Sequence, residues 1–153
     1  MYFASVALLL FVLPAASVAV EAALYPHGLG LIFLIGKWLV FWAVGVRLFM
    51  AGTRQVIQPQ FTAEKIFRVY DPSSLPIVRE VGFGNLSMGV LGISSLFRPG
   101  WLVPAAVVGG LYYGFAGIGH SMQKTRNAKE NMAMHSDEFV FLVLLAFVLR
   151  SMT

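Results

Sequence analysis

The residues able to carry chemistry are few, because only 12% of the 153 residues are charged and cysteine is absent. Without cysteine the chain offers no disulfide, no thiolate nucleophile and no thiolate metal ligand. Polar and ionisable side chains nevertheless recur at the ends of apolar segments. The candidates for a ligand-binding site or polar cavity are Arg47, Arg79, Glu80, Asn85, His120, Glu130 and Asp137.

Charged candidates inside apolar segments need an explanation, because hydrocarbon solvates charge poorly. An ionisable residue in a membrane bundle therefore faces a cavity, a partner or the interface. Arg47 or Arg79 would be satisfied by pairing with Glu80 or Asp137. Two interpretations stay open: the set consists of ordinary caps and flanking charges at helix ends, or it lines a functional polar mouth to which residues 119–138 contribute.

Proton transfer and metal binding are two further interpretations of these polar residues. Glu80, His120, Glu130 and Asp137 would form a proton relay if they lined one cavity, although the deeper parts of the segments lack a second acid to complete a path. His120 and His135 lie near several methionines, which would suit copper, but their spacing is not that of a metal-binding motif. We therefore predict no metal site and no catalytic residue, and we assign no cofactor.

The overall composition indicates a membrane protein. Apolar residues make up 58% of the chain, and a soluble fold of this length would leave large apolar patches exposed. The lipid bilayer is therefore the expected partner. The 11 Lys and Arg residues are scattered beside apolar runs instead of forming one basic stripe, so no nucleic-acid partner is expected.

Five apolar segments position these residues, and they predict transmembrane helices at about 2–24, 29–51, 77–97, 101–120 and 132–152. About 20 apolar residues cross the hydrocarbon core of a bilayer. We expect residues 1–153 to form one all-α domain, a bundle of five transmembrane helices. Four is the alternative, with the first or fifth segment at the interface. Ser17-Val18-Ala19 resembles a signal-peptide cleavage site, but no Lys or Arg precedes the first apolar run, so we expect that segment to be retained.

The long connection between the second and third segments predicts a short amphipathic helix over residues 61–70. Most Lys and Arg residues lie in this connection and in the one after the fourth segment. The positive-inside rule places both connections in the cytoplasm. We therefore expect a multi-pass protein of the cell (inner) membrane with a cytoplasmic N-terminus and a cytoplasmic amphipathic helix.

Glycines recur at three- and four-residue spacing on two of the segments, which lets helix backbones approach closely. The connection 98–100 is short, so we expect the third and fourth segments to be neighbours and their two glycine stripes to pack together. The expected helix-packing glycines are Gly82, Gly89 and Gly92 on the third segment and Gly110, Gly114 and Gly117 on the fourth.

Several stretches, among them Gln58–Phe67, Val78–Leu86, 109–114, 119–120 and 133–137, resemble an uncharacterised family of small bacterial and archaeal integral membrane proteins. That family is similar in size and helical layout to the DoxX-like membrane proteins, some of which act as redox-associated subunits. The resemblance implies a small membrane bundle and brings no active site to transfer. DoxX-like proteins typically have four spans, whereas this chain is expected to have five.

For function we expect a non-catalytic binder of a small hydrophobic ligand, such as a lipid or a quinone, or an accessory membrane subunit. A homo-oligomer or a larger membrane complex stays open. The alternative is a small transporter or proton-coupled channel that uses a polar cavity on the cytoplasmic side. A hydrated path past Lys37 would favour transport, and a blind cavity open to lipid would favour binding. Aromatic candidates to line a pocket are Trp38, Trp42, Tyr112, Tyr113 and Phe115.

Overall fold

The computed structural model describes residues 2–123 and 128–153, which are helical with short connections and contain no strand. Two long helices each contain a stretch of wider, π-helical turns. Helix α1 comprises Tyr2–Ala7, the π-helical Leu8–Val12 and Leu13–Leu24, and helix α2 comprises Leu31–Leu39, the π-helical Val40–Arg47 and Leu48–Ile57. The remaining helices are α3 (Pro59–Thr62 with the π-helical Ala63–Phe67), α4 (Ser74–Ser94), α5 (the 3-10 turn Pro99–Trp101 with Leu102–Ser121) and α6 (Ala128–Ser151).

Within the described ranges, four helices are long and apolar enough to cross a membrane. They are Phe3–Leu24, Leu31–Ile57, Pro99–Ser121 and Glu130–Ser151. The prediction of an all-α chain with membrane-crossing helices is therefore confirmed at this level.

Helix α4 corrects the predicted number of spans. It has 21 residues, but Arg79, Glu80, Asn85 and several glycines reduce its apolar character, and it is not among the candidate spans. The prediction of five spans is not supported, and the four-span alternative fits. The segment that drops out is the third one, around 77–97, and not the first or fifth.

Helix α4 packs antiparallel along α2, and glycines on both helices permit a close approach. A Cβ added at Gly92 would lie 2.5 Å from the Gly45 nitrogen, and one at Gly89 would lie 2.6 Å from the Phe49 nitrogen. Nearer the other end of the contact, a Cβ on Gly52 would lie 2.7 Å from the Gly82 carbonyl oxygen. Only glycine fits at such backbone contacts.

The second glycine stripe contacts α6. A Cβ added at Gly114 would lie 2.8 Å from the Phe141 ring, and one at Gly117 would lie 3.1 Å from Glu138 Cγ, while Gly110 leaves an ordinary 3.5 Å contact with Leu144. The two stripes therefore do not pack against each other, in contrast to the expected arrangement. A short connection brings two helix ends together, but it does not determine which helix faces pack. That depends on the small residues that all the other helices offer as contacts.

The interior of the bundle is filled by apolar side chains from α1, α2, α5 and α6. Members that are at most 1% exposed include Leu10, Val40, Val44, Leu144 and Phe147. Side chains at this density leave little void volume. The polar groups described below therefore lie around a closely packed apolar centre.

Helix α3 lies in the long connection, close to the predicted position. It begins at Pro59, because proline suits the first turn of a helix, where its missing N–H has no partner to lose. It ends at Phe67, and the next residue, Arg68, adopts a left-handed conformation with φ of 56°. Phe61, Ile66 and Phe67 are exposed on its surface.

Candidate functional site

An ion pair in the interior of the bundle joins α2 to α6. Arg47 ends the π-helical stretch of α2 and donates from Nη1 and Nη2 to Asp137 Oδ1, at 3.2 and 3.3 Å. The side chains of Arg47 and Asp137 are only 18% and 8% exposed. The guanidinium carbon also lies 5.2 Å from the ring centroid of Tyr113 on α5. Three helices therefore meet around one desolvated charge pair.

His120 connects this pair to the end of the bundle. It lies in the last turn of α5, and its Nε2 is 4.0 Å from Asp137 Oδ2. That distance is too long for a direct hydrogen bond. Because the His120 side chain is 28% exposed, the imidazole lies between the surface and the buried carboxylate.

Asn85 extends the polar group toward α4. Its Nδ2 donates to Gln55 Oε1 on α2 at 2.8 Å, and both residues are buried. Within the part of the chain that the structure describes, the buried Asn85 Oδ1 has no hydrogen-bond partner. The Tyr112 hydroxyl lies close to the Asn85 amide and within electrostatic range of Arg47 and Asp137. Arg47, Asn85, His120 and Asp137 therefore belong to one neighbourhood, which we call the interior polar cluster.

The other three predicted site residues lie elsewhere. Arg79 and Glu80 are exposed on α4, and neither forms an ion pair with any described residue. Glu130 forms a long, 3.9 Å ion pair with the exposed Arg68. The structure thus brings together four of the seven candidates and does not arrange all seven around one mouth.

A second polar group lies where α1 and α2 meet near their connection, and the sequence analysis did not anticipate it. Lys37 Nζ contacts the two carboxylate oxygens of Glu21 at 2.7 and 2.8 Å. Trp38 Nε1 donates to Glu21 Oε2 at 2.7 Å. About one turn further along α2, Trp42 Nε1 donates to Ser17 Oγ at 3.0 Å. Glu21 and Lys37 neutralise each other, so neither is an isolated charge within its candidate span.

This polar group borders a groove of about 450 Å³, which we call the α1–α2 groove. Ligand pockets in proteins typically measure about 300–1,000 Å³ and combine apolar walls with a few polar groups. Val20 and Leu24 on its α1 side are exposed, so the groove opens on the outer surface of the bundle. The lining residues are Leu13, Ala16, Ser17, Val20, Glu21, Leu24, Tyr25, Lys37 and Trp38.

A signal for this pairing is present in the sequence. Glu21 lies about one turn before the connection 25–30, and Lys37 lies about two turns after it. Two antiparallel helices joined by a short connection bring such positions opposite each other, and opposite charges in apolar segments tend to pair.

The aromatic candidates do not share one pocket. Trp38 lines the α1–α2 groove, and Trp42 lies beside it. Tyr113 is fully buried and donates its hydroxyl proton to the Ala43 carbonyl oxygen at 2.6 Å. Tyr112 lies at the interior polar cluster, whereas Phe115 is exposed on the outer surface.

Long apolar helices, internally paired charges and an open surface groove define the class of the molecule, a helical bundle whose described residues include four helices long and apolar enough to cross a membrane. The chain belongs to DUF6790, a family of unknown function whose family model matches residues 4–152. No curated protein and no solved structure matches the chain. This family match supports neither the expected DoxX-like relationship nor the expected bacterial or archaeal origin.

Proposed function

We propose that this protein is a non-catalytic membrane protein that binds a small amphipathic ligand, a lipid or a quinone, in the α1–α2 groove. The observation that carries the proposal is the combination of an open, mostly apolar groove of about 450 Å³ with the neutralised Glu21–Lys37 pair at its edge. An apolar tail would lie along Leu13, Val20 and Leu24, and a polar head would lie beside Lys37.

The hydrogen bonds of the groove favour an uncharged head group. Glu21 receives two contacts from Lys37 and one hydrogen bond from Trp38. An ammonium group has three donors, so Lys37 retains one for a carbonyl or hydroxyl oxygen of a ligand. An anionic head would be opposed by the Glu21 carboxylate, which lies within 3 Å of the same ammonium. A quinone carbonyl or a glycerol ester suits this arrangement.

The alternative, a transporter or proton-coupled channel, would need a hydrated path between the interior polar cluster and Lys37. These groups are about 15 Å apart along α2, from the spacing of Lys37 and Arg47 in a helix. Leu10, Val40 and Val44 occupy the intervening interior and are at most 1% exposed. This apolar packing supports binding over transport.

A groove-filling substitution tests the binding proposal without breaking the ion pair. Ala16→Phe places a ring among the lining residues, and Ala19→Phe adds the same ring to an exposed position of α1 outside the lining. We expect a short-chain quinone to quench the tryptophan fluorescence of the detergent-solubilised protein with saturation, because Trp38 lines the groove. Ala16→Phe is expected to weaken this binding by about tenfold or more, a loss of roughly 1.4 kcal/mol.

The Ala19→Phe variant is expected to bind the quinone as the unmodified protein does. A diacylglycerol tested by native mass spectrometry provides the lipid arm of the experiment. Binding of both probes with equal affinity to the Ala16→Phe and Ala19→Phe variants would refute the assignment of the groove, and so would quenching without saturation.

We also propose that the N-terminus and the connection 58–73 face the cytoplasm of a cell membrane. The antiparallel α1 and α2 bring both to one end of the bundle, and that end carries Arg54, Lys65 and Arg68. Basic residues beside spans are retained on the cytoplasmic side. Since the chain lacks cysteine, the single variants Lys65→Cys and Gly28→Cys each carry one thiol that can be labelled in intact cells. If an impermeant reagent labels position 65 and does not label position 28, the orientation is the opposite of the proposed one.

A further inference from the structure

A second groove, of about 390 Å³, lies on the outer surface of α2 toward its C-terminal end. We call it the Arg54 groove. Its positions recur along one face of the helix, and none of its lining residues is acidic. Because Leu31–Ile57 is a candidate span, its last turns lie where lipid head groups are found. The lining residues are Phe49, Met50, Thr53, Arg54, Ile57 and Gln58.

Arg54 differs from the other arginine and lysine side chains of α2. Arg47 and Lys37 are paired with carboxylates, but Arg54 forms no side-chain hydrogen bond or ion pair with residues 2–123 and 128–153. Its guanidinium carbon lies 3.6 Å from the ring centroid of Phe61 on α3. Stacking on an aromatic ring restricts the guanidinium plane while its N–H donors stay available.

The walls of the groove suit a hydrocarbon chain. Phe49, Met50 and Ile57 are exposed large apolar side chains, and Ile57 is 70% exposed. In a membrane-crossing helix this surface lies against acyl chains. The groove therefore combines a row of apolar side chains with one oriented cation at the level of the head groups.

We propose that the Arg54 groove binds one phospholipid of the surrounding bilayer, with the lipid phosphate on Arg54 and an acyl chain along Phe49, Met50 and Ile57. A guanidinium recognises phosphate through two parallel N–H···O bonds, which makes arginine the usual residue for such contacts. The apolar walls contribute nothing to the binding of free phosphate but would contact an acyl chain, so the proposed phosphate is that of a lipid. The site is separate from the α1–α2 groove, where Glu21 cancels the lysine charge.

Native mass spectrometry of the detergent-solubilised full chain tests this site with defined lipids. Phosphatidylglycerol, a diacylglycerol with the same acyl chains and inorganic phosphate are each titrated. We expect one tightly held phosphatidylglycerol, and an Arg54→Gln variant that binds it about tenfold or more weakly, as loss of a charge-assisted hydrogen bond implies. Arg98→Gln removes another exposed arginine, at the opposite end of the bundle, and this variant is expected to bind as the unmodified protein does.

Phe61→Leu serves as a second variant, because it keeps the positive charge but removes the stacking surface. It is expected to weaken phosphatidylglycerol binding by a smaller factor than Arg54→Gln. Equal binding by the Arg54→Gln and Arg98→Gln variants would overturn the proposal. Because a diacylglycerol is also expected to bind the α1–α2 groove, its binding to the unmodified chain does not test this site. An Arg54→Gln variant that loses diacylglycerol as strongly as phosphatidylglycerol would overturn the proposal, and competition by inorganic phosphate alone would show an ion site in place of a lipid site.

Discussion

Arg47 and Asp137 are 90 positions apart in the chain, yet two guanidinium nitrogens of Arg47 donate to one carboxylate oxygen of Asp137. The contact connects α2 to α6, and the Tyr113 ring and the His120 imidazole of α5 complete its surroundings. A buried ion pair of this kind adds little net stability over apolar packing, because desolvation offsets the attraction. Removing one partner is costly, since it leaves the other charge buried and unpaired.

Asp137→Asn is therefore expected to lower the free energy of unfolding by about 3–5 kcal/mol. The double variant Asp137→Asn with Arg47→Gln should lose much less stability than the two single variants lose together, because no unpaired charge remains in it. Unfolding of the four proteins in mixed detergent micelles measures this double-mutant cycle. Glu80→Gln removes an exposed carboxylate and should change stability by less than about 0.5 kcal/mol. Additive costs in the cycle would show that Arg47 and Asp137 are not coupled.

The contact between α4 and α2 makes glycine essential at position 92 and dispensable at position 84. A Cβ at Gly92 would lie 2.5 Å from the Gly45 nitrogen, whereas one at Gly84 meets nothing within 4 Å. Gly92→Ala should therefore destabilise the protein by about 1–3 kcal/mol through overpacking. Gly84→Ala should be neutral or stabilise it by up to about 1 kcal/mol, since alanine is the better helix former. Thermal unfolding in detergent compares the two variants, and equal melting temperatures would contradict the close contact.

Arg68 carries backbone strain at the end of α3. Its φ of 56° lies in the left-handed region that side chains other than glycine, asparagine and aspartate rarely adopt. Its ion pair with Glu130 is long, at 3.9 Å, and the Arg68 side chain is 59% exposed, so this pair contributes little. Arg68→Gly should thus raise the free energy of unfolding by about 0.5–1 kcal/mol. Arg68→Ala removes the same ion pair but keeps the strain, so a stability equal to that of Arg68→Gly would count against the assigned conformation.

Asp71 makes the start of α4 sensitive to acid. The Ser73 backbone N–H donates to Asp71 Oδ1 at 2.9 Å, and this hydrogen bond, with a smaller effect of the Ser73 side chain, lowers the pKa of Asp71. A lowered carboxylate pKa stabilises the folded state above the unfolded pKa of about 3.9, and the contribution is lost as the pH falls through the folded pKa.

We therefore expect amide hydrogen exchange at residues 73–75 to lose protection as the pH falls below about 4, after correction for the intrinsic exchange rate. Asp71→Asn keeps an oxygen acceptor that does not titrate in this range, so its protection should not change with pH. If both proteins respond to pH in the same way, Asp71 is not the group responsible.

Much of the local structure could be predicted from the sequence. The predicted segment 101–120 corresponds to Leu102–Ser121, and 132–152 corresponds to most of Ala128–Ser151. These positions follow from apolar run length, and backbone hydrogen bonds in a helix are local. The number of spans was harder to predict, because Arg79, Glu80 and Asn85 lie in a segment whose length alone would suffice.

The candidate site was predicted less completely. Residue type identified Arg47, Asn85, His120 and Asp137 as candidates, but it also selected Arg79 and Glu80, which are exposed. Charge and depth are properties of one helix, whereas membership in a cluster depends on which helix lies opposite. Glu21 was not among the candidates, although one of its carboxylate oxygens lies 2.7 Å from Lys37 Nζ.

The amino-acid sequence by itself determined that this protein is helical, with helices long and apolar enough to cross a membrane, because apolar composition and helix hydrogen bonding act over neighbouring residues. The tertiary structure alone decided that α4 packs on α2 and α5 on α6, and that Asp137 belongs to Arg47. Those choices depend on steric fit and on the mutual neutralisation of charges between residues far apart in the chain. The two surface grooves also arise at this level, since each is bounded by side chains whose orientation the helix packing sets.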